Sequence, residues 1–266
     1  MGFACWCNLA CPVPWLLMDT GYRSVLYRCA IWCCGIPKTK AVADKQSSGE
    51  AARSARLIAR GALSGALATV RKGKDAGRPY VSKVGLALDI DGSPLFLFST
   101  LAAHTQDVMA DSRASLLVEA PSPENTPNPL QVGRATLVGQ LEQLPAPTDD
   151  YERARYLVRH PSAAQYAGFG DFSMWRMNVE KVHYVGGFGR AKWAKADNYL
   201  TPNPWLKACE VQLMADLGGV AQKILQIDGD GVTVAGSDET EFRQNFSAPA
   251  KDIEDWRTHF DRLFHA

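Results

Sequence analysis

The sequence predicts a mostly β fold with helices, a barrel or sandwich followed by a small α+β unit. Three observations carry this. Strand patterns are joined by glycine-containing turns, with Asp91-Gly92 the strongest hairpin signal. Helical stretches are few and do not alternate regularly with the strands, which argues against a parallel α/β sheet. Beyond Pro202 the pattern changes to helix, three short strands and helix.

Residues 50–62 are rich in Ala, Arg and Leu, with Ala51, Ala55, Ile58 and Ala62 on one face, so a helix is predicted there. Strands follow at 66–71 and 79–90, separated by a polar loop at 72–77. The return strand 94–99 is apolar on both faces and should be buried. A short helix is expected over 101–110 and a strand over 114–119. Four prolines in 121–129 mark a loop. Long strands are predicted over 131–144 and 172–185, flanking a helix over 148–160 that Thr148 would cap. The C-terminal part reads as helix 205–217, strands 224–227, 231–234 and 241–246, and helix 250–264 with the apolar stripe Ile253, Trp256, Phe260, Leu263 and Phe264. The domain reading is therefore 1–48 a poorly ordered extension, 49–198 the β domain and 203–266 the α+β domain.

With a net charge of +1, the chain has no basic field of the kind that drives general nucleic-acid binding. No apolar stretch reaches the roughly 20 residues of a membrane-spanning helix. No basic residue precedes the first apolar run, as a secretory leader would require. Six of the seven cysteines lie in the first 34 residues, without Cys-x-x-Cys spacing or nearby histidines, so no metal site is read from them. The body of the chain, with Cys209 alone, reads as cytoplasmic.

Two stretches carry candidate chemistry. Ser99-Thr100-Leu101-Ala102-Ala103-His104-Thr105 follows a buried strand and opens a helix, where hydroxyls and free N–H groups suit an anionic phosphate. Ser82 and Lys83 on the preceding strand and Arg113 after the helix would add a hydroxyl, an ammonium and a guanidinium. The same residues also read as a plain helix cap with solvated Lys83 and Arg113. His104 is a candidate acid/base or cofactor-side group. The second stretch runs Gly168-Phe169-Gly170-Asp171 into the strand that holds Arg176, which needs an anionic partner if it faces inward. Further on, Gly186-Gly187-Phe188-Gly189 suggests positive φ or close backbone approach rather than a dinucleotide fingerprint.

At these stretches, with Gly65-Ala66-Leu67-Ala68-Thr69 and Asp111-Ser112-Arg113-Ala114-Ser115, the chain resembles the HugZ-type haem-utilisation branch of the pyridoxamine 5′-phosphate oxidase-like family. The resemblance covers roughly residues 50–195. It implies an FMN-binding split β-barrel, a homodimer with sites at the subunit interface, and a flavin-dependent oxidoreductase. Ser82, Lys83, Ser99, Thr105, Arg113 and Arg176 would be cofactor-binding, and His104 and Asp171 catalytic. In the haem-utilisation members, haem takes the place of FMN and a C-terminal histidine holds the iron. The family's His-Met-Asn-x-Asp-His run is here Gln212-Leu213-Met214-Ala215-Asp216-Leu217, without either histidine, leaving His265 as the metal candidate. His259 is expected to face solvent. The alternatives to the flavin enzyme are a haem-binding or haem-degrading protein of iron acquisition and a non-enzymatic binding module or regulator.

Overall fold

The first helix begins at a reciprocal cap. Ser47 Oγ accepts from the Glu50 N–H (3.1 Å), and the Glu50 carboxylate accepts from the Ser47 N–H (2.7 Å). This is a computed structural model of the chain, and it describes residues 47–122, 128–146, 150–187, 189–217, 223–236 and 241–264. Thr148, the expected cap of the third helix, and His265 lie outside the described residues.

Helix α1 (Ser48–Gly61) is followed by β1 (Ser64–Val70), β2 (Pro79–Gly85), β3 (Ala87–Leu88) and β4 (Pro94–Ser99). Next come α2 (Ala103–Val108), β5 (Arg113–Glu119), β6 (Arg134–Gln143), α3 (Asp150–Arg159), β7 (Phe172–Val185), β8 (Ala191–Lys195) and α4 (Ala196–Tyr199). The antiparallel sheet runs β2-β1-β5-β6-β7-β4-β3, with β8 added to β7. The ends of that order, β2 and β3, are nearly consecutive in the chain. Only Leu86 separates them, and its N–H donates to Leu63 O (2.9 Å). The expected single strand over 79–90 is therefore two: the chain leaves β1 and takes up β4 as its partner. Two edges joined by one residue cannot lie at opposite ends of a flat sheet. The sheet curls until β2 meets β4, giving a split half-barrel.

Leu67, Leu116, Leu137, Phe96, Met177 and Val182 fill the barrel and are fully buried. Asp91-Gly92 forms the predicted tight turn, with Gly92 at φ 98° and its N–H on Asp89 O (3.0 Å). Midway, β6 and β7 slip register between Val138 and Gly139; a Cβ at Gly139 would lie 2.1 Å from Asn178 O, so only glycine fits. The glycine run after β7 makes the turn into β8, a strand the sequence pattern did not announce.

The C-terminal elements are α5 (Pro204–Asp216), β9 (Ile224–Asp228), β10 (Gly231–Ala235), β11 (Glu241–Asn245) and α6 (Ile253–Phe264). The three strands pair β11-β10-β9 and cover a second core around Trp256, Leu206, Ile227, Val232 and Phe260.

The two cores meet at charges. Besides alanines, α1 buries Arg56 and Arg60. Arg56 grips Asp230 through two bonds, Nε–Oδ2 at 2.6 Å and Nη2–Oδ1 at 2.9 Å. Arg60 lies 3.2 Å from Asp228 and donates to the carbonyls of Asp89 (2.9 Å) and Ile90 (2.7 Å). Asp228 in turn accepts from both ends of Arg243. Burial opposes ionisation of Asp228, but Arg243 and Arg60 outweigh it and hold the carboxyl at about 2.

Removing one carboxylate from this seam leaves a buried guanidinium uncompensated. Asp230→Ala should cost about 3–5 kcal/mol of stability, read as a lower urea midpoint; an unchanged midpoint would refute the seam's role. Asp228 has a folded pKa below its unfolded one, so its contribution is complete above about pH 4. That contribution is lost as pH falls toward about 2. Comparing midpoints at pH 5 and near pH 2.5, wild type should lose more stability than Asp228→Asn.

Candidate functional site

The two stretches singled out in the sequence meet where β4 hands over to α2. The β4–β7 ladder sets Ser99 opposite Phe172, which puts Asp171 beside the turn that follows Ser99. Ser99 Oγ donates to Asp171 Oδ2 (2.5 Å) and accepts from the Leu101 N–H (3.1 Å). The Thr100 N–H donates to Asp171 O (2.8 Å). Asp171 thus holds the turn by side chain and backbone together.

His104 sits in the first turn of α2. It is half-buried, with its ring edge-on to Phe98 at 4.5 Å between centroids. Burial pushes its imidazole below the ordinary value, with Asp107 opposing, so it is neutral at pH 7. Among the described residues its ring nitrogens make no hydrogen bond. Leu101 (84% exposed) and Met109 (59% exposed) give this end of the barrel an apolar surface. Thr105 is fully buried and its Oγ1 has no hydrogen-bond partner among the described residues.

Asp107 was not legible in the sequence. It is buried under α2 and accepts from Thr69 Oγ1 (3.1 Å), Arg71 Nη1 (3.2 Å) and the Lys72 N–H (3.3 Å), tying α2 to β1.

The other candidates are dispersed. Ser82 stands opposite Leu67 on the inner face of β2, and Lys83 opposite Ala66 on the outer face. Adjacent strand residues project to opposite sides, so within one chain these two point away from each other. Arg113, its side chain 75% exposed, is closed onto Asp111 at 2.6 and 2.9 Å. Arg176 lies on the face of β7 opposite the barrel core, partly buried, and has an anionic partner within the chain. It pairs with Asp89, and Glu152 is 3.7 Å away. Along β7 it lies five residues from Asp171, roughly 16 Å at strand rise. It borders a cleft of about 260 Å³ with Asp91, Asn203 and Lys207.

The remaining described histidines are engaged. His160 Nε2 contacts Leu86 O at 3.0 Å, and His183 stacks on Trp193 at 4.6 Å. His259 is not solvent-facing as expected: it is 8% exposed and stacked on Phe246, because α6 packs that side against the residue that follows β11. No helix among the described residues is long and apolar enough to cross a membrane.

The chain is similar to several known proteins. The chain is 36% identical over 137 residues to the chloroplastic heme oxygenase HOZ of Arabidopsis thaliana, a match covering 51% of this chain and 40% of that protein. A heme binding protein from Mycobacterium smegmatis is 28% identical at TM-score 0.54, over 81% of this chain and 96% of the other. A protein of unknown function from Agrobacterium tumefaciens shares the fold at TM-score 0.63 and 24% identity, over 80% of this chain and 95% of the other. The family described as CREG, beta-barrel matches residues 46–201, the span that holds the curled sheet and the His104 turn, and the chain belongs to that family.

Proposed function

We propose that this chain is a haem-binding or haem-degrading split-barrel protein, with His104 as the residue presented to the iron. The observation that carries the proposal is a neutral, half-buried imidazole whose ring nitrogens have no hydrogen-bond partner among the described residues, near exposed apolar side chains. The heme oxygenase and heme-binding relatives support it. Bound haem would supply a redox-active iron and a conjugated ring, chemistry that belongs to the cofactor. The protein's part is positioning. Asp171 and Ser99 fix the turn before α2, Asp107 anchors the helix to β1, and burial keeps His104 unprotonated so that a nitrogen lone pair is available.

The flavin-dependent oxidoreductase, with FMN as cofactor, is the weaker reading. Its phosphate would need Ser82, Lys83, Ser99, Thr105 and Arg113 together. Here Ser99 is bonded to Asp171, Arg113 to Asp111, Thr105 is buried, and Ser82 and Lys83 face opposite ways.

Haemin titrated into the purified full chain should give a Soret shift, and His104→Ala should weaken binding roughly tenfold or more. Loss on His265→Ala instead would overturn the assignment to His104. FMN binding that Arg113→Ala abolishes, without any haemin band, would replace the haem reading altogether.

A homodimer is part of the proposal. Val81 on the outer face of β2 is 60% exposed, in line with Ala68 of β1, an apolar strip that a second copy would cover. Light scattering should show a dimer that Val81→Asp converts to monomer; a wild-type monomer would remove this element.

A further inference from the structure

The stretch Gly168-Phe169-Gly170 leads into Asp171, and the fold does not account for it. Phe169 is 59% exposed. The loop around it is shaped by other groups. Tyr166 packs its ring on Phe172 at 4.9 Å, the Phe169 N–H donates to Tyr166 O (3.0 Å), and the Phe172 N–H donates to Phe169 O (3.0 Å). Those backbone bonds need no particular side chain at position 169. The glycines are not required either. Neither has a positive φ, and a Cβ at Gly168 or Gly170 would meet nothing within 4 Å. Glycine at such a position loses conformational entropy on folding with no gain inside the chain. An exposed ring between two bare backbone positions is what close approach of another molecule asks for.

This loop is tied to the His104 turn. Asp171, two residues after Phe169, accepts from the Ser99 hydroxyl on its side chain (2.5 Å) and from the Thr100 N–H on its carbonyl (2.8 Å). Leu101, two residues after Ser99, gives its N–H to the same Ser99 oxygen (3.1 Å) and is 84% exposed. The clamp therefore carries one exposed apolar side chain on each arm. Leu101 lies on the arm that continues into α2 and His104, and Phe169 on the other.

Resting on the haem reading above, we infer that Phe169, with Leu101, is the apolar support for the flat ring of the ligand presented to His104. The bare glycine neighbours let that ring lie close against the loop. The two parts of the site then read different features of one molecule: His104 the metal, Phe169 the breadth of the conjugated ring.

Two probes separate these roles: haemin, and iron-free protoporphyrin IX, which has the ring without the metal. Both should bind the full chain. Phe169→Ala should weaken both by roughly tenfold, with the Soret position of bound haemin unchanged, whereas His104→Ala should weaken haemin alone. Gly170→Ala, whose added methyl meets no neighbour, should keep or raise the urea midpoint and still weaken haemin. If Phe169→Ala lowers the urea midpoint, Gly170→Ala decides the matter. Haemin binding that His104→Ala weakens and Phe169→Ala leaves intact, or haemin binding without protoporphyrin binding, overturns this inference and leaves the haem reading standing. If neither probe binds the wild type, both fall together. A smaller mass by light scattering for Phe169→Ala, at unchanged haemin affinity, would assign the ring to a second copy of the chain and overturn the inference equally.

Discussion

Asp228 and Asp230 are the hinge points of the whole arrangement. Two carboxylates two residues apart, in the turn between β9 and β10, receive arginines from α1 and β11. The backbone around them is tied in as well: the Asp228 carbonyl accepts from Trp256 Nε1 (2.9 Å), and Phe246 N–H donates to Asp230 O (2.8 Å). Such a seam needs matched geometry on every side, because buried ions are stable only when fully partnered. It fixes α1 against the C-terminal strands while the alanine face of the same helix lies on the barrel. Arg60, through the Asp89 and Ile90 carbonyls, extends that control to the hairpin leading into β4, at whose far end the His104 turn begins.

The strands and the hairpin were legible because period-two patterns and Asp-Gly turns are local signals. The meeting of Ser99 and Asp171 was half legible: each residue stood out, but only the β4–β7 register brings them together. Arg56 and Arg60 were not legible. Arginines spaced four apart on a helix read as a solvated face, and their carboxylates lie about 170 positions away in the chain. The break at Leu86 was hidden for a similar reason, since a strand that changes partner keeps its apolar pattern throughout. β8, with lysines at Lys192 and Lys195, has too little apolar content to stand out.

At the candidate site, pleat and pairing disperse the expected phosphate residues within one chain. Ser82 and Lys83 are neighbours in sequence and opposites in space. Arg113 finds Asp111 two residues away before any ligand is needed. What persists is a small, well-anchored turn that sets the His104 imidazole edge-on to Phe98, near the exposed Leu101 and Met109.

The partner change at Leu86 also sets an order of events as the chain emerges during synthesis. β4 has only the two-residue β3 as companion until β7 arrives, more than seventy residues later. Until then its Leu95, Phe96, Leu97 and Phe98 present an apolar, unpaired edge of the kind that invites aggregation. That edge gains its long partner only when β7, beginning at Phe172, has been synthesised.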